Sequence, residues 1–149
     1  MVVEQTIVSW DKIDSLIEDI HTQTLKDSGS CAIIGIARGG LVPGVLFSQY
    51  KKDSLVFSVG IKSYSGTTRG KELIYQLPDI DKLNEFDLTY IIDDICDSGL
   101  TFKNLKKQFS SVNIKTISLY YRTNSIYKPD IIGQELTDSS WIVFPWEKD

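Results

Sequence analysis

Residues Tyr90-Ile91-Ile92-Asp93-Asp94-Ile95-Cys96-Asp97-Ser98-Gly99-Leu100-Thr101 constrain this chain more tightly than any other stretch. The apolar run from Tyr90 to Ile92 suits a parallel strand covered on both faces. The three carboxylates at its exit are not core residues, because unpaired buried charge is costly, so they are expected to line a solvent-reachable site. Ser98, Gly99 and Thr101 then offer a tight turn, hydroxyls and free backbone N–H groups where a helix from Leu100 to Phe109 should begin, and a helix N-terminus attracts phosphate. Acid beside an anion hole points to a ligand that carries both hydroxyls and phosphate.

The rest of the chain repeats the strand, loop, helix pattern. Ile13, Leu16, Ile17, Ile20 and Thr24 recur at helical spacing, with Ser9 or Asp11 as N-cap, and predict a helix through Lys26. Cys31 to Ile36 reads as a central strand. Ala37-Arg38-Gly39-Gly40 follows as a loop, and Leu41 to Tyr50 as a helix that tolerates Pro43 in its first turn. Leu55, Phe57, Val59 and Ile61 alternate as a strand should, and Leu73 to Leu77 predicts a short one. Between them, Lys62 to Lys71 is polar and glycine-bearing, a candidate lid. Asp79 to Asp87 reads as an acidic connection, and Ile114, Ile117 and Leu119 as another strand. Alternating strands and helices predict an α/β fold with a mostly parallel, doubly wound sheet, whose ligand sits at the carboxyl ends of the strands. Both glycine-bearing loops leave such ends.

Composition narrows the function classes. With 149 residues, 42% hydrophobic and 24% charged, the chain suits a single soluble domain. Its longest apolar stretches are strand-length, and Met1 to Gln5 lacks a basic region leading into an apolar one, so a membrane span and secretion are disfavoured and the cytoplasm is expected. Two cysteines and one histidine, His21, cannot build a Cys-based or His-rich metal site, so any metal must be oxygen-bound. His21 is expected at or near the surface. A net charge of −4 offers no broad field for nucleic acid. Cys96, inside the phosphate loop, reads as filler, since its acidic neighbours would raise its pKa.

The stretch from Tyr90 to Thr101 resembles the phosphoribosyl-diphosphate-binding motif of type I phosphoribosyltransferases: an apolar strand, two acids, a spacer, Asp, Ser or Thr, Gly, one residue and Thr. The resemblance implies that family's fold, with a core over about residues 25–122 and a small hood from about 123–149 over a base site, all within one domain spanning residues 1–149. It implies that Asp93 and Asp94 hold the ribose hydroxyls and Mg²⁺. Asp97, Ser98, Gly99, Leu100 and Thr101 would wrap the 5′-phosphate, and Arg38 and Gly39 would bind pyrophosphate through a loop of unusual peptide geometry. The lid would include Ser63 and Tyr64.

The similarity extends to the ends of the chain. Ile7-Val8-Ser9-Trp10-Asp11, Arg38 to Gly44, Ile61 to Tyr64, and Trp141 with Pro145-Trp146 look like the xanthine-guanine branch of the family and its short 6-oxopurine relatives. By itself, Trp141 to Glu147 reads as an edge strand with core aromatics. By resemblance it becomes a base pocket, with the purine stacked on Trp141 and backbone groups near Ile142 reaching its 2-position. Those relatives place a lysine, donor to the purine 6-oxygen, where this chain has Arg122. Arginine is likewise a fixed donor, and a gap in the alignment would bring Tyr121 or Tyr120 there instead.

The implied reaction is transfer of ribose 5-phosphate from phosphoribosyl diphosphate to N9 of guanine, xanthine or hypoxanthine, releasing pyrophosphate, with Asp97 as the catalytic carboxylate beside the base. The implied assembly is a homo-oligomer, dimer or tetramer, in which Trp10, Phe47 and Tyr50 would serve either an interface or a core. Two alternatives remain open: a non-catalytic sensor of phosphoribosyl diphosphate, and a transferase acting on another base.

Overall fold

The apolar runs singled out above form the centre of a six-stranded sheet in the computed structural model, which describes residues 3–63 and 71–148. In chain order the elements are β1 (Gln5–Ile7), α1 (Trp10–Gln23), β2 (Cys31–Ala37), α2 (Leu41–Ser48), β3 (Leu55–Ser63), β4 (Glu72–Gln76), α3 (Ile80–Leu83), β5 (Leu88–Cys96), α4 (Leu100–Gln108), β6 (Ile114–Arg122), β7 (Ile131–Leu136) and β8 (Trp141–Val143). The main sheet runs β4-β3-β2-β5-β6-β7. Every pairing in it is parallel except β3 with β4.

Both faces are covered, which explains why β2 and β5 are apolar without alternation. On one face Ile33, Tyr90, Ile92 and Ile117 pack against Ile13, Leu16, Ile17 and Ile20 of α1 and Phe47 of α2. On the other, Ile34, Ile91 and Val59 meet Phe102 and Leu105 of α4 and Leu83 of α3. Phe47 is thus a core residue, whereas Trp10 and Tyr50 keep about half their surface, 50% and 43%.

Several boundaries move for local reasons. Ser9 is the N-cap of α1, accepting from Lys12 N at 3.1 Å. The helix closes at Thr24, short of Lys26, because the Thr24 hydroxyl and backbone N–H both turn back to His21 O, at 2.8 and 2.9 Å. Strand β5 continues through Asp93 and Asp94 to Cys96, so these carboxylates lie inside the strand rather than beyond its exit. Strands β1 and β7 and the helical turn α3 carry no sequence signal strong enough to name them. Strand β7, in the segment assigned above to the hood, is the edge of the main sheet. A separate two-stranded sheet joins the two ends of the chain instead, with Gln5 opposite Trp141 and Ile7 opposite Val143. Of the expected lid, Ser63 ends β3, while Tyr64 and the residues up to 70 lie outside the described part.

From β2 the chain moves outward to β3, and from β5 it moves the other way to β6 and β7. The boundary between β2 and β5 is therefore the topological switch point, where the two glycine-bearing loops diverge and leave a crevice.

Candidate active site

The loop after β2 folds back onto its own strand, and glycines make that possible. A Cβ on Gly40 would lie 2.5 Å from Ile92 O and 2.7 Å from Ile36 O, and one on Gly35 would lie 2.8 Å from Gly40 O. Gly40 N donates to Ile36 O at 2.8 Å, the Ala37–Arg38 peptide bond is cis, and Arg38 is exposed. Gly39 faces Asp94 across the crevice: a Cβ there would overlap Asp94 Oδ2 and come within 2.7 Å of Cγ.

The acid pair sits where β5 loses its regular alternation. Tyr90 and Ile92 face one core and Ile91 the other, yet Ile95 returns to the first face and Cys96 to the second. The facing stretch of β6 slips in step, since Leu119 and Tyr120 share a face. Such local irregularity re-aims side chains beside active sites. Here Asp93 lines the cavity at the start of α4 while Asp94 lies against Gly39. Each accepts from the next backbone amide: Asp93 Oδ1 from Asp94 N at 2.9 Å, and Asp94 Oδ1 from Ile95 N at 2.7 Å. Both residues are partly buried rather than freely solvated. Burial, then the neighbouring Asp94 charge, holds the Asp93 carboxyl well above the usual range. Burial raises Asp94 as well, with Glu147 adding repulsion. Among the described residues, no Lys or Arg pairs with either carboxylate, so the negative charge there is uncompensated.

The next loop presents the opposite character. Its carbonyls are turned outward and held by the chain after β6: Ser125 Oγ donates to Cys96 O at 3.2 Å and also to Asp97 O, and Ile126 N donates to Ser98 O at 2.9 Å. Gly99 has φ +88°, and a Cβ on it would lie 2.7 Å from Tyr127 N. With its carbonyls tied back, the loop leaves its N–H groups and the start of α4 facing a small cavity of about 90 Å³ lined by Asp93, Asp97, Ser98, Gly99 and Thr101. One anion already contacts this end of α4: Glu72, at the start of β4, accepts from Thr101 Oγ1 and from Asn104 Nδ2, the latter at 3.2 Å. Cys96 is buried with its Sγ donating to Tyr127 O at 3.5 Å, and burial first, then Asp93 and Asp97, push its thiol up to about 11. It is filler.

Asp97 projects from the loop with 68% of its side chain exposed, and its Oδ1 meets Arg122 Nε at 2.9 Å. Tyr120 and Tyr121 are buried in the two cores, so of the three candidate positions Arg122 is the one that reaches the site. Trp141 is 58% exposed and Ile142 is buried at 5%. In the closing segment Trp141 offers an exposed flat surface, while Phe144 is buried and stacks on Trp146 at 4.9 Å. Glu72, Ser125, Tyr127 and Glu147 went unnoticed in the sequence because none sits in a recognisable local pattern.

A larger hollow of about 340 Å³ lies at the other end of the sheet, lined by Gln23, Lys26, Lys115, Asp130 and Ile131. Its charges are largely satisfied: Lys115 pairs with Asp27 at 2.5 Å, and Asp130 accepts from Thr116 N at 2.8 Å.

Comparison with known proteins agrees. A family model described as the phosphoribosyl transferase domain matches residues 4–148. The chain is 26% identical to the xanthine-guanine phosphoribosyltransferase of Idiomarina loihiensis over 140 residues, covering 94% of this chain and 85% of that one. The protein of the same name from Cereibacter sphaeroides is also 26% identical, with the same coverage. Among solved structures, the purine phosphoribosyltransferase of Pyrococcus horikoshii superposes with a TM-score of 0.83 at 27% identity, covering 97% of this chain and 95% of that one.

Proposed function

The chain belongs to the phosphoribosyl transferase domain family, and on that premise we propose that it is a purine salvage enzyme transferring ribose 5-phosphate from phosphoribosyl diphosphate to N9 of a 6-oxopurine. The observation that carries this reading is the meeting, at one switch point, of an acid pair, an anion-binding loop and a glycine loop in contact with that pair. A binding protein for a simple sugar phosphate needs the first two. The third, with Arg38 exposed on it, suits a diphosphate leaving group.

In this reading the loop from Asp97 to Thr101 holds the 5′-phosphate by backbone N–H groups and hydroxyls, and Asp93 and Asp94 accept from the ribose hydroxyls. The donor set fits Mg²⁺. The adjacent carboxylates lack a cationic partner among the described residues, and no group of three ligating side chains is gathered there. That suits an ion that takes one or two carboxylates and completes its shell with substrate oxygens and water. Held by Asp93 and Asp94, Mg²⁺ would offset the charge developing on pyrophosphate. The C1′–O bond to pyrophosphate breaks with its electron pair leaving on oxygen, and the purine N9 lone pair forms the new C1′–N9 bond. Asp97 accepts or shares the purine proton, Trp141 and the backbone at Ile142 hold the base in line, and Arg122 stands as donor on the 6-oxo side. The lid with Ser63 and Tyr64 would exclude water.

By the same resemblance we place the protein in a homo-oligomer, dimer or tetramer, a state that light scattering reads directly. Free Cys31 and Cys96 suit the reducing cytoplasm, and no helix among the described residues is long and apolar enough to cross a membrane. The deciding assay follows pyrophosphate release with phosphoribosyl diphosphate, Mg²⁺ and a panel of bases. Turnover with guanine, xanthine or hypoxanthine is expected. Turnover only with adenine or a pyrimidine would reassign the base, and silence despite tight binding of phosphoribosyl diphosphate would make the protein a sensor.

A further inference from the structure

Arg122 bridges two separate parts of the site through three contacts. Its Nε meets Asp97 Oδ1 at 2.9 Å, Nη1 donates to Asp138 O at 2.9 Å, and Nη2 donates to Ser140 O at 2.5 Å. Only 12% of the side chain is exposed. The turn it grips is itself pre-set, because Asp138 Oδ1 accepts from Ser140 N at 3.1 Å and Ser140 Oγ at 2.6 Å. The Ser140–Trp141 peptide is therefore held at both ends: its carbonyl by Arg122, and its N–H by Glu4 O at 2.7 Å. One rigid planar group thus spans the distance from Asp97 to the peptide that orients Trp141.

We propose that Arg122 is a positioning residue that sets the spacing and orientation of Asp97 relative to the Trp141 platform. This rests on the reading of Asp97 and Trp141 given above and adds to the donor role of Arg122. Nη1 and Nη2 each donate one N–H to the turn, Nε pairs with Asp97 by charge, and each Nη keeps a second N–H for a base. A lysine at this position carries the same charge but presents its donors from one point on a flexible stem, so it cannot hold a carboxylate and two carbonyls in one plane.

The test uses the full chain with Arg122→Lys and Arg122→Ala. Both variants should raise KM for phosphoribosyl diphosphate less than they lower kcat, since the Arg38 loop and the acid pair keep their contacts and only Asp97 of the loop from Asp97 to Thr101 loses its partner. Turnover should fall on the order of tenfold or more through misplacement of acid and platform. The fall should extend to a purine lacking the 6-oxygen, with a further loss for hypoxanthine from the missing donor, and added guanidinium should restore part of the activity of Arg122→Ala. A loss confined to 6-oxopurines would reduce Arg122 to a donor and overturn the strut. A second readout needs no activity. In the unliganded protein, amide hydrogen exchange over residues 137–142 and 97–101 should rise together in Arg122→Ala, and remain raised over 137–142 in Arg122→Lys. Unchanged exchange over 137–142 would overturn the proposal, whereas a wild-type protein inactive on every purine would overturn the functional reading and leave this arm to decide the strut.

Discussion

Gly39 and Asp94 occupy one another's space: the Asp94 carboxylate lies where a Cβ on residue 39 would have to be. A loop and a strand distant in sequence are thereby matched to within the size of a methyl group. Gly39→Ala should push either the carboxylate or the loop aside by about an ångström, and catalytic geometry displaced that far loses on the order of a hundredfold in kcat/KM. The thermal midpoint should move by only a few degrees, since the loop is partly exposed. Normal kinetics in this variant would mean that loop and strand do not act as one site.

Glu72 holds Thr101 and Asn104 at the start of α4, the donors a phosphate group would approach. A carboxylate and a phosphate dianion repel there. Glu72→Gln keeps an acceptor and removes the charge, so KM for phosphoribosyl diphosphate should fall about two- to fivefold, the size of a charge effect at a helix end. KM for the base should not change. A rise in the first constant would show that Glu72 supports the loop instead of competing with its ligand.

Asp93 and Asp94 place two partly buried carboxylates side by side, and burial raises both, with repulsion from Asp94 added at Asp93 and from Glu147 at Asp94. A carboxyl raised in the folded state costs stability at neutral pH, and the cost is relieved as pH falls through its folded value. Asp93→Asn, whose Oδ1 can still accept from Asp94 N, should therefore stabilise the unliganded protein by about 1–2 kcal/mol at pH 7 while abolishing transfer. Denaturant titration of both proteins checks the first half. A variant less stable than the parent would contradict it.

Asp27 has the opposite sign. Burial opposes its ionisation, but hydrogen bonds from Lys115 and Tyr90 and the charges of Lys115 and Lys51 outweigh that and hold its carboxyl below the usual range. Its contribution is present above the unfolded carboxylate pKa of about 3.9 and is lost as pH falls through the lower folded value. Asp27→Ala would strand the Tyr90 hydroxyl, which now donates to it at 2.7 Å, and should cost about 1–3 kcal/mol. Its stability should also vary less than the parent's below about pH 4. Turnover at saturating substrate should be unaffected, because this cluster is at the amino ends of the strands.

Asp97, mostly exposed, contributes little to folding beyond its pairing with Arg122. Asp97→Asn should lower kcat by about 10²- to 10⁴-fold with guanine, hypoxanthine and xanthine alike and leave the thermal midpoint nearly unchanged. Retained turnover would remove Asp97 from the chemistry.

Sheet architecture was legible where hydrophobic pattern is strong. Ile33, Ile34, Ile91 and Ile92 announce strands buried on both faces, and α1 is written in Ile13, Leu16, Ile17 and Ile20. Short edge elements were not: three residues of β1 form a strand only because β8 lies beside them. The degree of burial of Asp94 was not legible either. Burial at that point depends on the loop carrying Gly39 closing over β5, which no residue near Asp93 signals.

The amino-acid sequence by itself determined the chemistry that neighbouring residues can carry: acid, turn, hydroxyl and helix start between Asp93 and Thr101, a glycine loop after Arg38, and a flat aromatic at Trp141. Each depends on backbone preference and donor type over a few adjacent positions. Tertiary structure alone decided which of these groups meet. Gly39 against Asp94, Glu72 at Thr101, Ser125 behind the phosphate loop and Arg122 between Asp97 and Ser140 all follow from strand order and from the reversal of facing within β5. Local propensity acts over one turn or one strand, whereas the partner of a carboxylate or a guanidinium is set by whatever the sheet brings within about 3 Å of it.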